Sequence, residues 1–258
     1  MNPVACDQAL RELTGTQAVA VCFSDEPPAG VAQLSHPASG TCAYWSMAEQ
    51  GQTFCTAAPD HLGCAVGAYC HGALMPLEQA WELHHRVATE PQLACLKGKR
   101  GSALRRLAPL RYVTYSPLAK APALPEVVLI RGPRKELKRL LDAAGSACCA
   151  ADEAATTLPT CALFPKVLAT RRAAFTLGCA DGRAQGGLAE DEAYLALPGT
   201  LLVQVVEQLL GSAPRVEARH TSCSCSCSCH GQESLLTEMH AETFTEALTE
   251  ALTEAKTR

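Results

Sequence analysis

The chain has 258 residues, of which 48% are hydrophobic and 19% are charged, so it can bury a substantial core. Its net charge of −4 gives no electrostatic reason to expect nucleic acid or an anionic membrane surface as a partner. No segment approaches the roughly 18 apolar residues that a membrane span needs, and the N-terminus lacks the basic and apolar regions of a signal peptide. The sequence therefore predicts a cytoplasmic protein with no membrane partner.

Hydrophobic periodicity and turn residues predict helices and strands along most of the chain. The first element is an amphipathic helix that ends at Gly15. The predicted strands are 18–23, 52–56, 111–115, 126–130, 173–177 and 193–197. The other predicted helices are 41–50, 77–89, 132–141 and 201–210. Pro133 suits the first turn of the helix that begins at 132.

Cysteine is the most unusual part of the composition, with fifteen residues in the chain. A reducing cytosol keeps thiols from pairing as structural disulfides, and the odd total argues against a complete disulfide framework. The remaining explanations for so many cysteines are metal ligation, thiol chemistry and simple burial as small hydrophobic side chains. Packing is the interpretation we favour for the cysteines in apolar contexts, which are Cys6, Cys22, Cys95, Cys148 and Cys149.

Two short motifs occur once in each half of the chain. Thr-Cys-Ala stands at residues 41–43 and 160–162, and Gly-Cys-Ala-x-Gly stands at 63–67 and 178–182. The long spacing does not fit a solenoid repeat and favours a duplicated unit, with chance similarity as the alternative. We therefore predict an α+β core domain over residues 1–212, built from two pseudo-repeated α/β halves at about 8–120 and 121–212.

The cysteines of these motifs are the main candidate metal ligands. Cys42 and Cys161 open predicted helices, where unpaired N–H groups favour a thiolate. Cys64 and Cys179 lie in glycine-flanked turns, where the backbone can approach a bulky group. If the halves pack about a pseudo-twofold axis, these core cysteines (Cys42, Cys64, Cys161 and Cys179) converge between them. The alternative is that each half keeps its cysteines for packing.

Four thiolates suit a [4Fe–4S] cluster or tetrahedral zinc, and copper is a further soft-metal alternative. The chain has no Cys-x-x-Cys, which small zinc folds commonly use, so the long separations favour a cluster held between two halves. Such a centre would serve electron transfer or metal and cluster handling, with a redox or metal-delivery protein as partner.

Five further residues are secondary candidates. Cys70 and Cys55 are alternative ligands or redox thiols, although a structural role is favoured for Cys55. His71 directly follows Cys70. His61 reads as a surface loop histidine, with metal ligation or proton donation as the alternatives. Arg183 is predicted to form a loop salt bridge, with an anionic ligand as its alternative.

The composition changes beyond about residue 212, which predicts a separate tail over 213–258. Its first part is a low-complexity Ser/Cys run between His220 and His230. Neighbouring thiolates in this run could share a soft metal, and the alternative is a flexible linker. The tail cysteines concerned are Cys223, Cys225, Cys227 and Cys229. Residues 237–256 follow a Thr-Glu-Ala-Leu pattern that predicts a partly helical, acidic amphipathic segment.

Several segments in order resemble the hallmark segments of the family called domain of unknown function 169. They are Phe23-Ser-Asp-Glu-Pro-Pro-Ala-Gly-Val31, Gly51-Gln-Thr-Phe54, His61-Leu-Gly-Cys64, Tyr115-Ser-Pro-Leu118, Glu126-Val-Val-Leu-Ile-Arg-Gly-Pro133, Leu177-Gly-Cys-Ala-Asp-Gly-Arg183 and 187–199. The resemblance covers roughly residues 8–212, so the Cys-rich tail lies outside it. It implies the same core cysteines, but the family is uncharacterised and implies no reaction.

Two other functions stay open. One is an enzyme in which Cys179 or Cys64 acts as a nucleophile or redox thiol, assisted by His61 or Arg183. The other is a small-molecule binding module without metal. The sequence identifies neither a substrate nor a catalytic residue.

Overall fold

The first helix shows how closely local sequence sets its ends. Helix α1 runs over Pro3–Thr14. The Asn2 side chain caps it by accepting a hydrogen bond from the Val4 N–H at 3.0 Å, and proline occupies the first turn, where it loses no hydrogen bond. Gly15 ends the helix in the left-handed region at φ 65°, which glycine adopts without strain. The predicted end at Gly15 is confirmed.

The computed structural model describes residues 2–34, 38, 40–71, 112–145 and 159–212. The predicted helix 77–89, three cysteines assigned to packing and the whole tail lie outside the described residues. Those cysteines are Cys95, Cys148 and Cys149. Asn2–Leu209 forms one compact unit, and the second unit, Leu210–Arg258 with Met1, lies almost wholly outside the described residues.

A six-stranded antiparallel sheet forms the centre of the first unit, in the order β2-β3-β1-β4-β6-β5. The strands are β1 Gln17–Ser24, β2 Phe54–Ala57, β3 Tyr112–Pro117, β4 Val127–Pro133, β5 Ala174–Thr176 and β6 Glu192–Pro198. The two central strands, β1 and β4, pair with Val19 opposite Leu129. An α+β fold is thus confirmed, whereas the pseudo-repeat stays a prediction.

The remaining helices lie between these strands. In chain order they are α2 Thr41–Glu49, α3 Ala65–Cys70, α4 Arg134–Ala144, α5 Leu163–Thr170, α6 Ala180–Gly186 and α7 Leu202–Ser212. Short 3₁₀ turns at Ala58–Gly63 and Thr160–Ala162 lead into α3 and α5. Within the described residues, no helix is long and apolar enough to cross a membrane.

One face of the sheet carries a large hydrophobic cluster. Alternate residues of the strands point to it, and helices α2 and α5 cover it with Tyr44, Trp45 and Phe164. All three of these aromatic side chains are fully buried. Helices α1 and α4 contact the central strands β1 and β4. The N-terminal ends of α2 and α5 bring Cys42 and Cys161 to the aromatic side.

One predicted boundary is wrong. The helix predicted from 132 begins at Arg134, because Gly132 and Pro133 still pair in β4 with Ala193 and Glu192 of β6. Pairing with the neighbouring strand outweighs the local preference of proline for a first helical turn. Proline is tolerated here because it stands at the strand end, where a missing N–H breaks no inner ladder bond.

Candidate metal centre

Two of the core cysteines are buried at the start of helical segments. Cys42 is the second residue of α2, which begins after Gly40 in extended conformation without a side-chain cap. Cys161 lies in the 3₁₀ turn between Pro159 and α5. Only 3% of Cys42 and 1% of Cys161 is exposed. Both predicted helix-start positions are confirmed, although the turn at Cys161 is 3₁₀.

The other two core cysteines cap short helices. Cys64 precedes α3 and Cys179 precedes α6, and each has extended backbone. The Cys64 Sγ accepts a hydrogen bond from the Gly67 N–H at 3.3 Å. The Cys179 Sγ accepts one from the Gly182 N–H at 3.4 Å. Both cysteines are partly exposed, so they lie nearer the surface than Cys42 and Cys161.

Glycine allows a close approach between these segments. A Cβ on Gly67 would lie 2.4 Å from the Thr41 Oγ1, and a Cβ on Gly182 would lie 2.4 Å from the Thr160 Oγ1. Thr41 precedes Cys42, and Gly67 belongs to the helix that Cys64 caps. In the same way, Thr160 precedes Cys161, and Gly182 belongs to the helix that Cys179 caps. Each threonine–glycine contact therefore brings one buried and one partly exposed cysteine together.

Hydrogen bonds between thiols link the cysteines at one threonine–glycine contact to the cysteines at the other. Cys42 bonds to Cys179, and Cys64 bonds to Cys161. Each core cysteine also interacts electrostatically with the other three. A fifth thiol joins them, since Cys161 also bonds to Cys70. The structure thus brings together all the core cysteines and the secondary candidate Cys70.

The thiols differ in how readily they ionise. The bond to Cys179, together with burial, raises the pKa of Cys42 well above its ordinary value, and the bond to Cys161 does the same for Cys64. The bond from Cys42, helped by Thr160 and the Gly182 N–H, lowers the pKa of Cys179 to about 5 against the opposing effect of burial. Cys179 is therefore the core cysteine whose pKa is lowered, whereas the pKa values of Cys42, Cys64 and Cys161 are raised.

Two histidines pack beside this group, and one sequence prediction about them is wrong. His61 was expected on a surface loop, but none of it is exposed. Its ring stacks on His71 with centroids 4.5 Å apart and the planes at 10°. Its Nδ1 lies 3.2 Å from the Thr41 Oγ1 and its Nε2 lies 3.0 Å from the Thr56 Oγ1. Thr41 lies 20 residues before His61, and Thr56 also contacts strand β3 through the Val113 carbonyl oxygen, so the local sequence does not predict the burial.

Burial dominates the chemistry of the histidine pair. It lowers the pKa of His61 well below its ordinary value and lowers that of His71 to about 4. The His71 Nδ1 lies 2.8 Å from the Gly67 carbonyl oxygen. Because a carbonyl oxygen can only accept, Nδ1 carries the proton and donates this hydrogen bond. Both rings are therefore neutral at physiological pH.

Arg183 forms no salt bridge with the residues that the structure describes, and the predicted one stays a prediction. Its guanidinium donates to the Leu177 and Ala189 carbonyl oxygens, at 2.8 and 3.1 Å, so it ties the loop before α6 to the loop after it. The nearby carboxylate of Glu192 pairs with Arg131 at 2.7 Å. Arg131 comes from the adjacent strand β4, and backbone pairing brings it opposite this region.

The remaining cysteine predictions concern packing. Cys55 lies in β2 and is fully buried, which fits the structural role favoured for it. Cys6 and Cys22 are also buried. Burial raises the pKa of Cys22 to about 12, so this thiol stays protonated. No structural statement applies to the tail cysteines, which lie outside the described residues.

Aromatic residues near the core cysteines were not among the sequence candidates. Trp45, Tyr115 and Tyr194 lie on the aromatic side of the sheet and are fully buried. The Trp45 Nε1 and the hydroxyls of Tyr115 and Tyr194 form no hydrogen bond of normal geometry with the described residues. In the sequence these residues read as ordinary core positions, and no spacing signal marks them.

The thiols lie in contact, but they are not arranged around a single point. Within residues 2–34, 38, 40–71, 112–145 and 159–212, no three His, Cys, Asp or Glu side chains are grouped so that they could hold a metal ion. Zinc at about 2.3 Å from each sulfur needs such a group. The thiol arrangement is one of two bonded pairs, Cys42 with Cys179 and Cys64 with Cys161.

Comparison with known proteins identifies one family. A family model described as DUF169, Uncharacterised ArCR, matches residues 12–208, which include all the core cysteines. This match confirms the resemblance that the sequence motifs predict. No curated protein and no solved structure matches the chain.

Proposed function

This chain belongs to the domain of unknown function 169 family, and we propose that its core cysteines bind metal as thiolates, with a [4Fe–4S] cluster as the favoured occupant. In this proposal the centre serves electron transfer or metal and cluster handling, together with a redox or metal-delivery protein. Zinc and copper are the alternative metals. When bound, the cluster would supply reversible one-electron chemistry.

The convergence of the core cysteines is the observation that carries the proposal. Cys42, Cys64, Cys161 and Cys179 come from four separate segments, and each interacts with the other three. The bond to a neighbouring thiol, together with burial, raises the pKa of Cys42 and of Cys64, so a buried group of this kind does not ionise fully by itself. A bound cation removes the obstacle because coordination deprotonates thiols. Packing alone gives no reason for thiols to gather in this way.

The long separations of the core cysteines in the sequence favour a cluster over a single ion, because small zinc folds commonly bind through Cys-x-x-Cys pairs, which this chain lacks. A cluster binds each thiolate at a different iron, so the paired thiols would have to separate to receive it. The N–H groups of Gly67 and Gly182 already point at the sulfurs of Cys64 and Cys179, and donors of this kind stabilise cluster-bound thiolates.

We further propose that the two halves are a duplicated unit and that the centre lies between them. The strand order supports this, because β1, β3 and β2 follow one another outward on one side and β4, β6 and β5 follow on the other. The matched contacts of Thr41 with Gly67 and of Thr160 with Gly182 support it as well. Both thiol pairs then join a cysteine of one half to a cysteine of the other.

Replacement of single cysteines tests the proposed ligands. Each of the variants Cys42→Ser, Cys64→Ser, Cys161→Ser and Cys179→Ser is expected to lose most of its iron and sulfide after anaerobic purification. Cys22→Ser is the matched control because Cys22 is also buried but lies apart from the group. Wild-type iron content in the core variants would contradict the proposal.

The tail needs its own variant because it could bind metal independently. A full-length chain with Cys223, Cys225, Cys227 and Cys229 replaced by serine should keep its iron and sulfide if the core cysteines hold the cluster. Loss of all metal in this variant would favour the alternative of a copper- or zinc-binding tail. The tail site stays a prediction from sequence.

A thiol-dependent enzyme is the second candidate function. The lowered pKa of Cys179, about 5, favours it, because a thiolate at neutral pH is the reactive form. Selective alkylation of Cys179 at about pH 6 in metal-free protein would agree with both functions. Loss of an activity on alkylation, in protein that never binds metal, would favour the enzyme.

A further inference from the structure

Each thiol pair joins one partly exposed cysteine to one buried cysteine. In the first pair Cys179 is partly exposed and Cys42 is buried, and in the second pair Cys64 is partly exposed and Cys161 is buried. A hydrogen bond links the two thiols of each pair. Thiol–disulfide exchange uses an accessible thiol beside a buried one, because the first sulfur meets the incoming disulfide and the second completes the reaction.

Helix α6 connects the two cysteines of the first pair. Cys179 caps this helix, and a Cβ on Gly182 would lie 3.6 Å from the Cys179 Sγ. A Cβ on Gly186, one turn further along, would lie 3.7 Å from the Cys42 Cβ. Residues four apart share one face of a helix. Both cysteines therefore lie along the same glycine-lined face of α6.

The second pair lies in a small apolar cluster. Cys161 and Cys70 belong to this cluster with Val66 and Ala162, and Cys64 packs against it. Cys161 hydrogen-bonds to both of the other cysteines. Packing in one cluster thus keeps the sulfurs of the second pair near each other, as the glycine-lined face does for the first pair.

Thr160 and Gly182 direct hydrogen bonds to the sulfur of Cys179. The Thr160 Oγ1 accepts a hydrogen bond from the Cys179 N–H at 3.1 Å, so its own proton is free to reach the Cys179 Sγ at 3.4 Å. The Gly182 N–H donates to the same sulfur, also at 3.4 Å. Donors of this kind favour a thiolate, which is the attacking form in disulfide exchange.

The second pair differs at the corresponding threonine. The Gly67 N–H donates to the Cys64 Sγ at 3.3 Å, but the Thr41 Oγ1 lies 3.2 Å from the His61 Nδ1. The threonine hydroxyl thus has a different partner in this half of the chain. We therefore expect the first pair to react before the second.

We propose that the thiol pairs are dithiol–disulfide couples that reduce low-molecular-weight disulfides, with Cys179 and Cys64 as the attacking sulfurs and Cys42 and Cys161 as the resolving sulfurs. The inference goes beyond the proposed function and needs no bound metal. Oxidation of each pair to a disulfide removes two electrons from the protein, and the small disulfide accepts them.

The first pair illustrates how atoms and electrons balance. The Cys179 thiolate attacks one sulfur of the small disulfide, so a mixed disulfide forms, the original sulfur–sulfur bond breaks and one thiolate leaves. This thiolate takes up the proton that Cys179 has lost. The Cys42 sulfur then attacks the Cys179 sulfur, and its proton goes to the second departing thiolate. One disulfide and two protein thiols become one protein disulfide and two small thiols.

The experiment uses the reduced, metal-free full chain in which the tail cysteines are replaced by serine. Bis(2-hydroxyethyl) disulfide is the probe, and the released 2-mercaptoethanol and the bonded peptides are measured by mass spectrometry over time. Each closed pair should release two molecules of 2-mercaptoethanol. The Cys42–Cys179 bond should appear before the Cys64–Cys161 bond. Because this mapping needs no core substitution, it decides the proposal even where a core variant fails to fold.

Serine variants test the roles within the first pair. Cys42→Ser removes the resolving sulfur, so Cys179 should stay joined to one mercaptoethanol as a mixed disulfide. Cys179→Ser removes the attacking sulfur, so Cys42 should stay reduced. Cys22→Ser is again the matched control, because this buried cysteine lies apart from both pairs, and it should close both bonds at the wild-type rate.

The outcomes separate this inference from the proposed function. Core thiols that stay reduced, or disulfides that join the core cysteines to cysteines outside the pairs, would overturn the inference. The metal-binding proposal would then still stand in a chain that takes up iron and sulfide. A mixed disulfide on Cys42 in Cys179→Ser would contradict the assigned roles. A chain that closes both bonds but never takes up iron or sulfide would overturn the proposed function alone.

Discussion

Cys179 has a set of hydrogen-bond donors that distinguishes its sulfur from those of the other core cysteines. The Cys42 thiol bonds to it, the Gly182 N–H lies at 3.4 Å, and the Thr160 hydroxyl lies at 3.4 Å. Donors to a thiolate favour the charged form, and here they outweigh burial. At the scale of single residues, these donors make Cys179 the core cysteine whose pKa is lowered.

Replacing Thr160 by valine should make Cys179 harder to ionise. The change removes the hydroxyl but keeps the branched shape, so the pKa of Cys179 should rise from about 5 toward its ordinary value. The pH dependence of iodoacetamide alkylation in metal-free protein measures this as a midpoint at higher pH. Thr41→Val is the control, because that hydroxyl faces His61. An unchanged midpoint in Thr160→Val would contradict the role assigned to the hydroxyl.

Glycine positions provide a second test at the residue scale. A Cβ on Gly199 would lie 1.8 Å from the Pro125 carbonyl oxygen, which is backbone and moves little. Gly199→Ala should therefore reduce the free energy of unfolding by about 1–3 kcal/mol or more. Gly211→Ala is the control: nothing lies within 4 Å, and alanine should stabilise a helix by about 0.5–1 kcal/mol. Denaturant unfolding of both variants decides the matter, and an unaffected Gly199 variant would be inconsistent with the packing.

At the scale of elements, Arg131 of β4 connects the ends of the two helices that carry Cys42 and Cys179. It bonds to Glu49, the last residue of α2, at 3.2 Å, and to the Gly186 carbonyl oxygen, at the end of α6, at 3.0 Å. It also pairs with Glu192 of β6. One partly buried guanidinium thus fixes α2 and α6 against the sheet, and through them the spacing of their cysteines.

This contact predicts a pH dependence of stability. Burial raises the pKa of Glu49 to about 7, although Arg131 opposes the shift. Between its ordinary value and 7 the folded state binds more protons than the unfolded state, so the free energy of unfolding falls as pH rises through this range. Glu49 alone should account for a loss of roughly 1–3 kcal/mol between about pH 5 and pH 8.

Glu49→Gln tests that dependence because glutamine keeps the size but does not titrate. Denaturant unfolding at several pH values should show a flatter curve for this variant than for the wild type. Asp142→Asn removes an exposed carboxylate that pairs with Lys138, and it should keep the wild-type slope. A wild-type slope in Glu49→Gln would rule out Glu49 as the source.

At the scale of the whole molecule, local sequence predicted most of the described strands and the cap of α1 at Gly15. It also selected the core cysteines, because their two motifs recur with short-range signals. It did not predict how the thiols pair, the burial of His61 or the arginine contact at the ends of α2 and α6. Each of these depends on side chains that meet only after distant segments fold together, as with Arg131 against Glu49.

The Gly132–Pro133 boundary illustrates the same limit. A proline that suits a first helical turn remains in the strand because β6 supplies a partner along its full length. The aromatic residues beside the core cysteines were equally hidden, since Tyr115 and Tyr194 lie in strands whose residues are nearly all buried. Only their unpaired hydroxyls distinguish them from ordinary core residues.

The iron and acid-labile sulfide content of the anaerobically purified full chain, read together with its absorbance near 400 nm, tests the central claim most directly. The account predicts about four irons and four sulfides per chain, with the absorbance lost when Cys42 or Cys161 is replaced by serine. Colourless protein without metal, in which every core thiol titrates freely, would contradict it.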